Sequence, residues 1–396
     1  MKPKKIRDKL LLVLLTFFFI PILIIGVYSL VFGTETLEKG SLETQTVRLN
    51  QSILEIQDYL DQVDNDLFYL SESSALSLYF STLQSGSAVK QRLMLTNLRL
   101  SFKKFLKHKP QYLQISYIDS GGMEVVRIEN IGGKVRNISD PDLQSQREMV
   151  FFKRTIGLQK GDLYMSELEL SRKDNEIVKP FKPTVHYATP IFDKQNSPQG
   201  ILVFNVDMNR ILQKTTSQLP KGMQELLVDS EGYYLFHSDS GKAWSGKNNL
   251  DTGANFFSDE KISKDKLKNT SAINHHNISN QVISYATVKI NDNQRQLGKL
   301  IITAPKDIVF QLSEQFSSKL MMVMASLLLV GTIIAYFVSG LIPKSLLVFA
   351  EDVERLSKGE IETPIAATSN DEIGDLAVAV ERLRKSIKFL MKKVEH

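Results

Sequence analysis

YLQISYIDSGGMEVVRIEN, residues 112 to 130, is where this chain stops reading as helix and starts reading as sheet. Apolar residues alternate in YLQISYID (112 to 119) and again in EVVRIEN (124 to 130), with Ser120, Gly121 and Gly122 between them. A period of two over runs of this length predicts strands with one face buried, and the small residues between them predict a hairpin.

Upstream the period is helical. Leu49, Ile53, Ile56, Leu60, Val63, Leu67 and Leu70 recur at steps of four and three, a heptad seam. It predicts a long helix whose stripe packs either on a partner chain or on its own domain. Before that seam, Leu10 to Phe32 is a 23-residue run without a charge, and Leu320 to Ile342 is a second. Each exceeds the roughly 20 residues that carry a helix across about 30 Å of hydrocarbon.

Lys2, Lys4, Lys5, Arg7 and Lys9 against Asp8 precede the first run, which holds that end in the cytoplasm by the positive-inside rule. The run is longer than the apolar core of a signal peptide, and no small-residue cleavage site follows it, so an uncleaved anchor is expected. The expected order is therefore a basic cytoplasmic N-terminus (1–9), a first span (10–32), an exported segment (33–319), a second span (320–342) and a return to the cytoplasm (343–396). Cysteine is absent, so the exported segment relies on its own core and not on disulfides. The formal charge of +5 is largely the N-terminal cluster, which has a topological explanation, and no nucleic-acid partner is expected.

Downstream of the hairpin, REMVFFKRTI (147 to 156) reads as helix, and LYMSELEL (163 to 170), PTVHYATPIF (183 to 192) and GILVFNVDM (200 to 208) read as strands. A smaller echo follows in QELLVD (224 to 229), YYLFHS (233 to 238), VISYATVKI (282 to 290) and KLIITAP (299 to 305). Two strands, a helical insert and three strands form a PAS-like order. With the anchor, the long helix and the second span, the chain resembles the double Cache extracellular sensors of bacterial histidine kinases and chemoreceptors. YIDSGGMEVVRIE, KGDLYMSELEL with KPFKPTVHYATPIFD, and DSEGYYLFHSDSGKAWSG carry the likeness over about residues 35 to 315. It implies a distal unit at about 85–210 and a proximal unit at about 220–306.

The resemblance also implies a pocket between the distal sheet and its helical insert, for a small-molecule ligand. There Arg127 could meet a carboxylate, Tyr117, Phe152, Tyr164 and Tyr187 could wall the site, and Ser166, His186 and Asn205 could hydrogen-bond. Core packing is the competing account of each aromatic, and a surface ion pair of Arg127. The family's amino-acid pattern, an Arg followed shortly by Trp-Tyr and a later Tyr and Asp, is not found.

After the second span, Pro343 is expected to open a helix, where its missing N–H costs little. Leu346, Phe349, Val353 and Leu356 follow at heptad steps, then a connector from Ser357 through Gly359, Ile361, Pro364 and Ile365 to Asn370. Asp371 and Glu372 place negative charge at the start of a second helix, which Ile373, Leu376, Val380, Leu383, Ile387, Leu390 and Val394 continue. This resembles a HAMP domain: Pro343, Gly359 and the run Asp371, Glu372, Ile373 and Gly374 match its proline, connector glycine and D-E-[IL]-G signature. The resemblance implies a dimeric parallel coiled coil that relays a signal through Pro343, Gly359, Asp371, Glu372, Gly374, Leu376 and Leu383.

The expected fold class is thus α+β: a two-span membrane protein with a long N-terminal helix, a tandem PAS-like (double Cache) extracytoplasmic domain and a cytoplasmic HAMP coiled coil, in a bacterial inner membrane with both termini cytoplasmic. No enzyme, cofactor or metal site is expected. GKAWSGKN (241 to 248) mimics a phosphate loop, but Asn248 replaces its Mg²⁺-binding hydroxyl and polar loop residues follow. His275 and His276 are adjacent and read as a solvated loop pair; His108, His237 and His396 form no pattern. Arg382, Arg384, Lys385, Lys388, Lys392 and Lys393 read as the solvated flank of a coil, with contact to acidic lipid or a partner as the alternative. No kinase, cyclase or chemotaxis module is read within residues 1–396. Three readings stay open: a receptor that signals through a separate cytoplasmic effector, a truncated kinase or chemoreceptor, and an anchored binding protein whose HAMP only dimerises.

Overall fold

The computed structural model describes residues 6–83, 86–173, 176–216, 219, 222–267, 272–278, 280–290, 295–366 and 371–394. It divides into two compact units, residues 40–309 and the remainder on either side.

The unit of residues 40–309 begins within helix α1 (Ile6–Ser71), followed by α2 (Ser74–Leu83) and α3 (Ala88–His108). The heptad seam of α1 is spent inside its own chain: Leu49, Ile56, Leu60, Val63 and Leu67 are fully buried, and Ile53 and Leu70 nearly so. At about 1.5–3 kcal/mol per buried aliphatic side chain, this stripe is a principal source of cohesion.

A larger antiparallel sheet follows, made of β1 (Tyr112–Asp119), β2 (Glu124–Ile131), β3 (Lys134–Asn137), β4 (Tyr164–Met165), β5 (Glu169–Leu170), β8 (Pro183–Phe192) and β9 (Pro198–Asp207). Their order is β3-β2-β1-β9-β8-β4, with β5 also on β8; the insert between β3 and β4 carries α4 (Val150–Thr155). A two-stranded ribbon, β6 (Arg172–Lys173) with β7 (Glu176–Ile177), stands apart. The LYMSELEL stretch is not one strand. At Ser166 the hydroxyl oxygen accepts the His186 N–H (2.9 Å) while the Ser166 N–H donates to the His186 carbonyl (2.9 Å), so a side chain replaces a rung of the ladder and β4 ends there.

Helix α5 (Asn209–Thr216) leads to a smaller sheet of β10 (Gln224–Val228), β11 (Tyr234–Phe236), β12 (Asn274–Ile278), β13 (Gln281–Ile290) and β14 (Arg295–Pro305), ordered β11-β10-β14-β13-β12. Helix α6 (Phe256–Asp259) lies in the long loop before β12, and α7 (Lys306–Val309) closes the unit. One face of each sheet joins a common core with α1. Ile115, Tyr117, Val126, Tyr187 and Phe204 come from the larger sheet, and Leu227, Ala286, Val288 and Ile302 from the smaller.

His275 and His276 are not in a loop but on edge strand β12, one to each face. His275 bonds Thr46 of α1 (2.9 Å) and Ser284 (2.7 Å), and His276 stacks on Tyr285. Neighbouring polar groups satisfy both rings, which is why a run without apolar alternation still pairs as a strand.

In the other unit, α1 up to Lys39 packs against α8 (Gln311–Ser357) in antiparallel fashion. Gly26 and Gly33 permit the approach: a Cβ on Gly26 would lie 2.1 Å from Met324 Cε, and one on Gly33 would lie 2.5 Å from the Phe316 ring. Phe17, Ile24, Val31, Met322, Leu329 and Phe337 stay exposed on these helices, the pattern of apolar side chains that face lipid. Helix α8 runs unbroken through Pro343, so the expected helix start there is corrected: the span and the following helix are one element, which forgoes the single bond proline cannot donate.

Gly359, at φ +91°, ends α8 and opens the connector, and α9 (Glu372–Val394) follows. Asp371 caps α9, its carboxylate accepting from Ile373 N (3.0 Å) and Gly374 N (3.2 Å). Asn370 and His396 lie outside the described residues. Gly374, Ala377 and Arg384 face inward, whereas Leu376, Leu383 and Leu390 are more than half exposed. Arg384 is therefore not a solvated flank residue. It forks onto both oxygens of Glu381 (2.7 Å each) and donates to the Ile361 carbonyl.

Candidate functional site

Strand alternation gives the larger sheet a second face, turned away from α1 and toward the α4 insert. Cross-strand register sorts that face into rows. One runs Glu129, Gln114, Asn205, His186 across β2, β1, β9 and β8. The next runs Arg127, Ser116, Val203, Ala188, Tyr164 from β2 to β4. Val203 and Ala188 of that row, with Ile118 and Ile201 of the row beyond, pack on Phe151 and Phe152 of α4. The face is thus apolar beneath the helix and polar one row further on.

The polar row has specific chemistry. His186 stacks on Phe151 with ring centroids 5.1 Å apart, and burial pushes its imidazole down to about 4, so the ring is neutral. Gln114 donates to Ser116 (2.8 Å). Asn205 lies between Gln114 and His186, and its side-chain oxygen is buried without a hydrogen-bond partner among the described residues. A buried acceptor left unmet costs about 1–3 kcal/mol.

Of the eight expected ligand residues, Arg127, Tyr164, His186 and Asn205 share these two rows, Phe152 lies under the insert, and Ser166 fixes the β8 backbone at His186. Tyr117 and Tyr187 do not belong with them. Both are buried on the α1-facing side, since their neighbours Ser116 and His186 occupy the insert face and adjacent residues of a strand alternate. Tyr117 donates to the Gln199 carbonyl (2.8 Å) and packs edge-on against Phe80. Arg127 is already engaged by Glu124 (3.0 Å) and Glu129 (2.9 Å), so no fork is free for a ligand carboxylate. Gln114, Ser116, Glu129 and Phe151 were missed. Their signal was register: each polar one sits out of phase with the apolar alternation of its strand.

Two cavities lie elsewhere in the same unit. One of about 340 Å³ is lined by Tyr59, Lys109 and Arg210 among others, and one of about 670 Å³ lies between α1, α2 and the β8–β9 turn. Among the described residues no three His, Asp or Glu side chains gather as a metal site.

A helix laid across two antiparallel sheets, continuous with an apolar helix and followed in the chain by a second one and a capped helix–connector–helix, defines a transmembrane sensory receptor. The family described as Bacterial histidine kinase, sensor domain matches residues 45–302, and the HAMP domain matches residues 344–389. The chain belongs to that sensor family, and it is a signalling receptor of the bacterial inner membrane.

Among solved structures it is similar to a domain of a sensory box/GGDEF family protein from Vibrio parahaemolyticus (TM-score 0.56, 20% identity, covering 70% of this chain and 98% of that one). It is likewise similar to the extracellular domain of a histidine-kinase candidate, vpHK1S-Z8 (TM-score 0.54, 20% identity, covering 71% and 95%). The sensory domain of the Campylobacter jejuni chemoreceptor Tlp3 is a more distant likeness (TM-score 0.48, 12% identity, covering 70% and 98%). No curated protein matches the chain.

Proposed function

We propose that the receptor senses a small extracytoplasmic molecule on the insert face of the larger sheet and reports it through its HAMP unit to a separate cytoplasmic effector. The observation that carries this reading is the Asn205 amide oxygen, buried and unpartnered in a row with Gln114 and neutral His186. An acceptor in that state favours a ligand that donates an N–H or O–H, with Phe151 and Tyr164 offering aromatic contact. Because Arg127 is held by two glutamates, the ligand need not bring a carboxylate.

Sensing and relay meet on β8. His186 faces the site, and Tyr187, next along, faces α1 and lies under the Arg295 guanidinium of β14, the strand that leads through α7 into α8. Ligand that shifts β8 would bias the packing felt by both helices that continue toward the spans. The exposed Leu376, Leu383 and Leu390 stripe of α9 favours a homodimer, in which two copies form a parallel bundle. Both termini then lie in the cytoplasm. A thermal-shift screen of the detergent-solubilised chain against small metabolites tests the site. A stabilising compound should lose its effect in Asn205→Leu, and a compound that stabilises both chains equally would refute this placement.

A further inference from the structure

The 670 Å³ cavity shares no residue with the insert-face rows. Its floor is Phe68 of α1, Phe80 of α2, and Pro190, Ile191 and Phe192 at the end of β8. Phe80 and Ile191 are buried in the main core, so the floor is rigid and apolar. Around the opening stand Lys160, Lys194 and Glu72, none of which has a side-chain hydrogen bond or ion pair among the described residues. Asp193, the other acid of the lining, is committed to its own turn, accepting from Gln195 N (2.9 Å), Ser197 N (2.8 Å) and Gln199 Nε2 (2.8 Å). The Thr189 hydroxyl is likewise used, donating to the Asp162 carbonyl (2.8 Å). The two lysines and two acids balance in formal charge, but both ammonium groups stand without a partner among the described residues, whereas one of the two carboxylates already has its hydrogen bonds.

From this cavity we infer a second binding site, for a small monocarboxylate with an apolar ring or chain. The volume is in the range of small-molecule pockets, the floor takes the apolar part, and Lys160 or Lys194 takes the charge. Two elements would be joined by such a ligand: the end of α1, the helix that is continuous with the first apolar run, and the β8 strand that carries His186. The site is independent of the insert-face reading.

The test uses the full chain in nanodiscs, with phenylacetate and hexanoate as probes and phenylacetamide and hexanamide as neutral controls, read by isothermal calorimetry. Saturable binding of an acid, at least ten-fold weaker binding of its amide, and a comparable loss in the Lys160→Gln/Lys194→Gln double variant are expected. Ser77→Trp, placed on the exposed side of α2 at the cavity wall, should abolish binding while the melting temperature holds. No saturable binding of either acid, equal binding of acid and amide, or binding that survives Ser77→Trp would overturn the proposal. So would binding lost in Asn205→Leu but kept in the lysine double variant, which would move the acid to the insert face.

Discussion

Arg295 of the smaller sheet reaches Asp64 of α1 at 2.7 Å, with both side chains largely buried and the guanidinium 5.5 Å from the centroid of the Tyr187 ring. One cation thus ties together α1, the smaller sheet and the back of the strand that carries His186. Removing one partner of such a pair leaves the other charge buried, at a cost of about 3–5 kcal/mol. Asp64→Asn and Arg295→Met should each lower stability on that order, and the double variant should lose less than the sum. Urea unfolding of the four chains reads the coupling directly, and strictly additive losses would deny it.

Glu225 makes the α1 contact sensitive to pH. Its carboxyl is almost fully buried against Ser52, Arg48 and Glu55 of α1, and desolvation pushes it up to about 7. Glu55 in turn pairs with Lys214 (3.2 Å). An acid whose folded value is raised favours the folded state while it is protonated. Its contribution is full below about 4.5 and is lost as pH rises toward 7. Stability should therefore fall over that window by on the order of 2–3 kcal/mol from this group, and Glu225→Gln should remove that part of the slope. Denaturation midpoints of both chains at pH 5 and pH 8 check it; identical slopes would contradict it.

Leu60 stands for the seam as a whole. It is fully buried, so Leu60→Ala should cost about 2–5 kcal/mol, whereas Leu54→Ala, more than half exposed on the same helix, should cost little. Equal losses at the two positions would mean that the helix packs by its other face.

In the HAMP unit, Leu383→Glu puts charge into the exposed stripe and should abolish chemical cross-linking of α9 between copies without altering the connector. The converse change is Glu381→Gln. Arg384 and the Ile365 N–H hold the Glu381 carboxyl down to about 2, and through Ile365 and Ile361 they fasten the connector to α9. Glu381→Gln should raise amide exchange at Ile365 while leaving cross-linking in place. The reverse pattern would contradict these assignments.

Much of the fold is written in periods. The steps of four and three along α1, and the alternation in PTVHYATPIF and VISYATVKI, announce elements whose burial has one answer. The site is legible only where a side chain's phase is counted. Tyr117 and Tyr187 are aromatic and near the right strands, yet one residue of phase turns each to the opposite face. Asn205 and His186 are expected because the family resemblance places a pocket against their strands, not because of any local pattern. Their partner Gln114 escaped notice because its place in the row depends on register between β1 and β9, a long-range pairing that local pattern does not encode. Helix α3, with few buried apolar residues and a basic surface, likewise lacks a strong stripe.

The central claim, a receptor threaded twice through the membrane with its two sheets outside and its HAMP unit inside, is tested most directly by cysteine labelling, because the chain has no cysteine of its own. Ser120→Cys, at the exposed β1–β2 turn, should react with a membrane-impermeant maleimide on spheroplasts. Ser386→Cys, on the exposed side of α9, should react only after permeabilisation. Labelling of Ser386→Cys in intact spheroplasts, or protection of Ser120→Cys until lysis, would contradict the account.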